Sequence, residues 1–454
     1  LDRLVPLAVA AAAAQPNRDA TFERILLLLE AVSRREAYLA LLEQYPQALA
    51  RVAELMSASP WAAQYLTQHP ILLDELLETR AVYTAPDWNA LTDALRGQLD
   101  EAGSDTEKQM DVLRHFKHVQ TMHLLAQDLA GTLPLETLSD HLSDLACVLL
   151  REVLRLAWHD VRQRHRDQPA FAIVGYGKLG GKELGYASDL DLVFLYDDPA
   201  PEAPENYSRL ARRINHLATS LTSAGILYET DLRLRPDGAS GLLVSPLQSF
   251  REYQLQHAWP WEHQALTRAR CVAGEARIGN AFEDIRITIL REPRELKALR
   301  TSVIEMRQKM LDAHPNTSGL FDVKHDPGGI IDVEFIVQYL VLGHAHAHEG
   351  LTANIGNLAL LTLAGKLGLA PQGAAAAAHD AYRRFRQLRH SLRLQGEQYA
   401  RSDAHEVQAQ TAAVRAPWDI VLGKGPAWRL TRCAPPTHIS AGPHAYAKTP
   451  APYR

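Results

Sequence analysis

Two carboxylates stand two residues apart in Asp189-Leu190-Asp191-Leu192-Val193-Phe194-Leu195-Tyr196, a segment that reads as a strand. Residues i and i+2 of a strand share a face. Asp189 and Asp191 therefore point one way, while Leu190 and Leu192 point the other, into a core. Paired carboxylates at the start of a strand repel each other unless cations bind them. Magnesium held between carboxylates and substrate phosphates satisfies that arrangement. Just upstream, Leu179-Gly180-Gly181 offers backbone N–H groups that can approach phosphate oxygens, because glycine leaves no side chain in the way. Lys178, Lys182 and Ser188 add possible contacts. A further strand, Ile226 to Arg235, puts Asp231, Arg233 and Arg235 on one face and Leu232 and Leu234 on the other. Pro236-Asp237-Gly238 ends it in a turn. If it pairs beside the first, Asp231 becomes a third carboxylate and the two arginines face a triphosphate. An amphipathic strand with a solvated polar face explains either segment alone. Two strands, three acids and a Gly-Gly loop together favour a site. Its catalytic and metal-holding candidates are Asp189, Asp191 and Asp231. Its nucleotide-binding candidates are Gly180, Gly181, Lys178, Ser188, Arg233 and Arg235.

Other residues imitate sites. Gly175, Gly177 and Gly180 spell G-x-G-x-x-G after a strand, with Asp197 further on, the fingerprint of a dinucleotide fold. That fold needs a helix opening at Gly180, and the next strand begins near Asp189, so no crossover helix fits. His344, His346 and His348 alternate as a metal clamp could, but a polar interhelical loop accounts for them. Asp332 and Glu334 follow Pro327-Gly328-Gly329, where acids complement the dipole of a first helical turn. Trp259 and Trp261 read as packing residues.

The elements that carry these residues form an α/β island in a helical chain. From Thr21 to Asp167 nearly every segment has helical period; Pro46 and Pro60 suit first turns, and Thr106 to Leu129 is one long helix. At Pro169 the texture changes. Phe171-Ala172-Ile173-Val174 reads as a buried strand, and Tyr207 to Ala224 as a helix. After Cys271 the helical period returns, clearest over Leu299 to Asp312, Ile330 to Leu342 and Ala374 to Leu394. The expected parts are a helical domain over 21–167, a catalytic domain over 168–272 and a helical bundle over 273–416. Residues 1–20 read as an Ala-rich linker or leader, with a short Ala-rich helix as the other reading. Residues 417–454 read as an irregular tail, Pro-rich and without acids from Val421 on. The chain has 454 residues, 46 % of them hydrophobic and 22 % charged, a globular profile. A net charge of -5 argues against a surface tuned to nucleic acid. No run of about 18 apolar residues suggests a membrane span. Three scattered cysteines suit a reducing cytoplasm.

A hydrophobic residue, Gly-Gly, a spacer and Asp-h-Asp-h, with a later strand acid, resembles the nucleotidyltransferase superfamily of DNA polymerase β type. Gly175-Tyr176-Gly177-Lys178-Leu179-Gly180-Gly181-Lys182-Glu183-Leu184-Gly185-Tyr186-Ala187-Ser188-Asp189 narrows this resemblance to glutamine synthetase adenylyltransferases. So do Asp231-Leu232-Arg233-Leu234-Arg235-Pro236-Asp237-Gly238, the stretch from Ala258 to Arg270, and Lys324 to Phe335. The similarity covers about Thr21 to Ala416. It implies a mainly α protein with a nucleotidyltransferase domain, a small mixed sheet, inserted between helical domains. Such enzymes are two-headed. One half removes AMP from a tyrosine of glutamine synthetase by phosphorolysis; the other attaches AMP from ATP. The Trp-Pro-Trp-Glu-His-Gln and Lys-His-Asp-Pro-Gly-Gly segments here resemble the C-terminal, attaching half. The resemblance implies ATP as substrate, two magnesium ions, glutamine synthetase as protein substrate, and glutamine and the PII signal-transduction protein as regulators. The helical region after Cys271 resembles that of the PII uridylyltransferases. Phosphorolytic AMP removal, or a non-catalytic fragment that binds partners, are the alternative readings.

Overall fold

Phe171–Gly175 (β1) is buried at all five positions, as a strand covered on both faces must be. In this computed structural model, which describes residues 3–77 and 84–423, β1 is the middle of the sheet. Leu190–Tyr196 (β2) lies antiparallel on one side of it, with Phe171 opposite Tyr196 and Gly175 opposite Leu192. That antiparallel pairing excludes the βαβ unit that the glycine fingerprint mimics. Two short strands share the other edge of β2, both parallel to it. Thr230–Asp231 (β3) pairs at its start and Val244–Pro246 (β4) at its end. Arg270–Gly274 (β5) closes the far side of β1, antiparallel. The sheet is thus small and mixed in a mostly helical chain.

The chain divides into two compact units. Of the described residues, the first holds 3–77, 84–257, 268–285 and 393–397; the second holds 258–267, 286–392 and 398–423. In the first, the helix Ala203–Thr219 returns the chain from β2 to β3, burying Tyr207, Leu210, Ile214 and Leu217. It packs on the helix Leu135–Asp160, where Trp158 stacks on Tyr207 with ring centroids 5.6 Å apart. The helix Thr106–Leu129 has the bounds its periodicity predicts. Pro46 and Pro60 open helices, as expected. The Ala-rich stretch is no linker. Leu4–Ala13 is a helix whose Leu4, Ala8 and Ala12, four apart, are buried among the helices Arg18–Ala31 and Pro46–Ala58.

In the second unit, the helix Ile330–His344 is apolar nearly all round and buried, as its composition requires. Asp332 does more than complement a dipole. It is fully buried, pairs with Arg307 Nε at 2.6 Å and accepts the Gly328 N–H. The start of the expected irregular tail is helical instead. The helix Gln408–Val421 runs through Pro417 and buries Trp418. The rest of the expected tail, 424–454, lies outside the described residues.

Candidate active site

Register brings the third carboxylate to the other two. Because β3 pairs parallel to β2, Leu190 sits beside Thr230 and Asp191 beside Asp231. Asp189 precedes the first strand residue, held by a turn in which Ser188 Oγ accepts the Gly185 N–H at 3.0 Å. Burial first, and then the neighbouring Asp189 and Asp231 charges, push the Asp191 carboxyl up to about 6 against an opposing pull from nearby cations. Lys178 and Arg268 pull it back. Asp231 behaves differently. Burial alone raises it, but hydrogen bonds and charge from Arg233, with the charge of Arg235, hold it below its ordinary value.

The arginines are not where strand alternation puts them. β3 is only two residues long, and the chain turns after Leu232. Arg233 folds back on Asp231, its Nε 3.0 and 2.9 Å from the two carboxylate oxygens. Arg235 donates to the carbonyls of Leu232 at 2.7 Å, Ala239 at 2.9 Å and Gly241 at 3.2 Å, and so ties its own loop. Among the described residues no three acidic, histidine or cysteine side chains form a ready-made metal cage.

The glycines also differ from expectation. Gly177–Gly180 is one helical turn, so the Gly180 and Gly181 N–H groups donate to the carbonyls of Tyr176 at 2.9 Å and Gly177 at 3.0 Å. They do not face open space. Gly180 is glycine because a Cβ there would lie 2.0 Å from the Arg268 carbonyl oxygen. Sequence reasoning missed Gly177. It has φ +54°, and a Cβ on it would lie 2.3 Å from Asp191 Oδ2, so the carboxylate rests directly over it. Arg268 and Glu183 were also missed as a pair. Arg268 is buried and Glu183 half-buried, the two lie 2.7 Å apart, and Arg268 adds positive charge near Asp191. Both stand in stretches whose resemblance was legible, but nothing local links residues 85 apart. Lys182, with φ 53°, pairs with Asp144 at 3.3 Å.

Comparison with known proteins decides the family. Residues 49–285 match the family model described as glutamate-ammonia ligase adenylyltransferase. The chain belongs to that family. Residues 297–412 match a second model, described as GlnD PII-uridylyltransferase. A bifunctional glutamine synthetase adenylyltransferase/adenylyl-removing enzyme of Aromatoleum aromaticum is 59 % identical over 423 residues, 93 % of this chain and 45 % of that one. A namesake from Nitrosomonas europaea is 57 % identical over 397 residues, 87 % of this chain and 43 % of its own. The chain thus spans less than half the length of these relatives. Within the adenylyltransferase match lie Asp189, Asp191, Asp231 and all five strands of the sheet.

Proposed function

We propose that this chain transfers AMP from ATP to a tyrosine hydroxyl of glutamine synthetase, with magnesium. The observation that carries the reading is the pairing of Asp191 with Asp231 beside Asp189, which leaves a half-buried carboxyl pressed by two like charges. An all-oxygen donor set of that kind fits a hard divalent cation. Asp189, Asp191 and Asp231 would hold it, with Asp231 exchanging Arg233 for the metal. When bound, magnesium supplies positive charge to the phosphates and the leaving pyrophosphate. In the reaction the phenol oxygen bonds to the α-phosphorus, the bond from that phosphorus to the α,β-bridging oxygen breaks to release pyrophosphate, and the phenol proton passes to solvent. A cation holds Asp231 weakly basic, Arg233 in this structure and the metal when bound, so orienting the phenol suits this residue better than taking its proton. Lys178, Ser188 and Arg233 remain the side-chain candidates for nucleotide contact. Gly180 and Gly181 are spent on packing against Arg268, so they support the site without offering their N–H groups to phosphate. Glutamine and PII as regulators, and a cytoplasmic setting, rest on the family resemblance. Free Cys147 and Cys271 suit that setting. No described helix is long and apolar enough to cross a membrane.

Two incubations test the reading. With glutamine synthetase, magnesium and α-labelled ATP, label should pass to the protein. With adenylylated glutamine synthetase and phosphate, ADP should not form. The reverse pattern would select phosphorolysis, and target binding without either reaction would select a non-catalytic fragment.

Gly177→Ala gives a local check. The methyl must displace the Asp191 carboxylate and sit at positive φ. The expected cost is about 1–2 kcal/mol in a urea melt, with transfer impaired at limiting magnesium. A variant as active as the parent there would show that Asp191 need not rest where it does.

A further inference from the structure

The helix Thr106–Leu129 lies outside the sheet and reads from sequence as packing alone. Its side chains say otherwise. Arg114, fully buried, donates to the carbonyls of Leu217 at 3.3 Å, Gly225 at 2.7 Å and Ser220. Lys117 Nζ donates to the Leu227 carbonyl at 2.6 Å, and its ammonium lies 4.3 Å from the Tyr228 ring centroid. His118 Nε2 is 3.0 Å from the Ala224 carbonyl. Asp111 accepts from Thr222 Oγ1 at 2.6 Å. All these partners lie in the segment that delivers the chain to β3 and Asp231.

The same helix holds the other carboxylate-bearing approach. Asp128 Oδ2 accepts the Tyr186 hydroxyl at 2.9 Å, while the Tyr186 ring stacks on Trp61 with centroids 4.9 Å apart. Tyr186 lies in the turn that leads into Asp189 and Asp191. Arg114 and Asp128 are 14 residues apart, about 21 Å along one helix. A single rigid element thus grips both chain segments that bring the acids together.

We infer that the helix Thr106–Leu129 is the positioning element of the carboxylate site, with Arg114, Lys117, His118 and Asp128 setting the separation of Asp231 from Asp189 and Asp191. The inference rests on the proposed reading of those acids as a cation site. Buried polar side chains bound to backbone carbonyls are costly to leave unpaired, so the grips resist local opening. The β2–β3 pairing is only two residues long and cannot set that separation alone.

The test uses the whole chain and two variants remote from the reacting groups, Lys117→Met and Tyr186→Phe. The second keeps the ring on Trp61, and so decides the matter if the first fails to fold. Hydrogen exchange should quicken over 224–231 in Lys117→Met and over 185–190 in Tyr186→Phe. Affinity for Mn2+, read by water-proton relaxation, should fall about three- to tenfold in each, and magnesium should restore turnover at high concentration. Unchanged exchange overturns the inference. Quicker exchange with parental Mn2+ affinity overturns it too, since the grips would then support the fold without setting the site. Asp191→Asn is the control for the underlying reading. If it binds Mn2+ like the parent, the cation site falls, and the exchange data decide the positioning role by themselves.

Discussion

Asp191→Asn should abolish AMP transfer and, at the same time, make the metal-free protein harder to unfold near neutral pH. The two effects share one cause. Asp191 is pressed by burial and by the Asp189 and Asp231 charges until its carboxyl reaches about 6. A carboxyl whose folded pKa lies above its unfolded value contributes stability while protonated. That contribution is complete below the unfolded value near about 4 and is lost as pH rises through about 6. At about pH 7.5 the ionised group therefore opposes folding, by an amount on the order of 2 kcal/mol. Asparagine has the same shape and no charge, so the opposition disappears. Urea melts in chelator should show the variant ahead of the parent at about pH 7.5 and the gap shrinking towards pH 4. Transfer should fall by about a thousandfold or more, which corresponds to about 4 kcal/mol of lost transition-state stabilisation. A variant that transfers AMP normally would remove Asp191 from the cation site. One that is less stable at every pH would refute the charge crowding.

Gly180→Ala should be among the most damaging single changes in the first unit. A Cβ would stand 2.0 Å from the Arg268 carbonyl oxygen and 2.5 Å from that of Gly175. Both are main-chain atoms of the β1–β5 region, and neither can rotate aside. Strand separation or loss of the Gly177–Gly180 turn must follow, at a cost of more than about 3 kcal/mol. Gly97→Ala is the contrast. Gly97 lies on an exposed face of the helix Trp88–Glu101 with nothing within 4 Å of its Cβ, so alanine should stabilise by about 0.5–1 kcal/mol. Opposite shifts in two thermal melts would bear out both assignments. A Gly180→Ala protein that melts with the parent would mean that this close packing is not real.

The candidate site was legible where it depends on local pattern. Asp-Leu-Asp-Leu has a period of two, and Leu190 and Leu192 are indeed buried while the acids stand apart from the core. Apolar residues at helical spacing predicted Thr106–Leu129 to the residue. Prolines at Pro46 and Pro60 sit in first turns because their missing N–H costs nothing there. Local pattern failed at Arg233 and Arg235, where alternation was extended across a strand that stops at Asp231. The alternating residues continue, but the hydrogen-bonded partner does not, and without a ladder the backbone turns. At the Ala-rich segment pattern left helix and linker open, since low complexity hides the stripe of small residues that packs there.

Taken alone, the amino-acid sequence determined which acids, glycines and basic groups exist, which of them share a strand face, and the family they resemble. Those properties follow from side-chain type and from periods of two and 3.6 residues, all within a few neighbours. Tertiary structure alone decided that Asp231 stands beside Asp191, that Asp191 rests on Gly177, and that Gly180 faces Arg268 instead of solvent. It also decided that one helix about a hundred residues before Asp231 grips the path to it. Each of these is a pairing between residues distant in the chain. It is set by strand register and by the saturation of buried carbonyls, and neither leaves a periodic mark on the residues that take part.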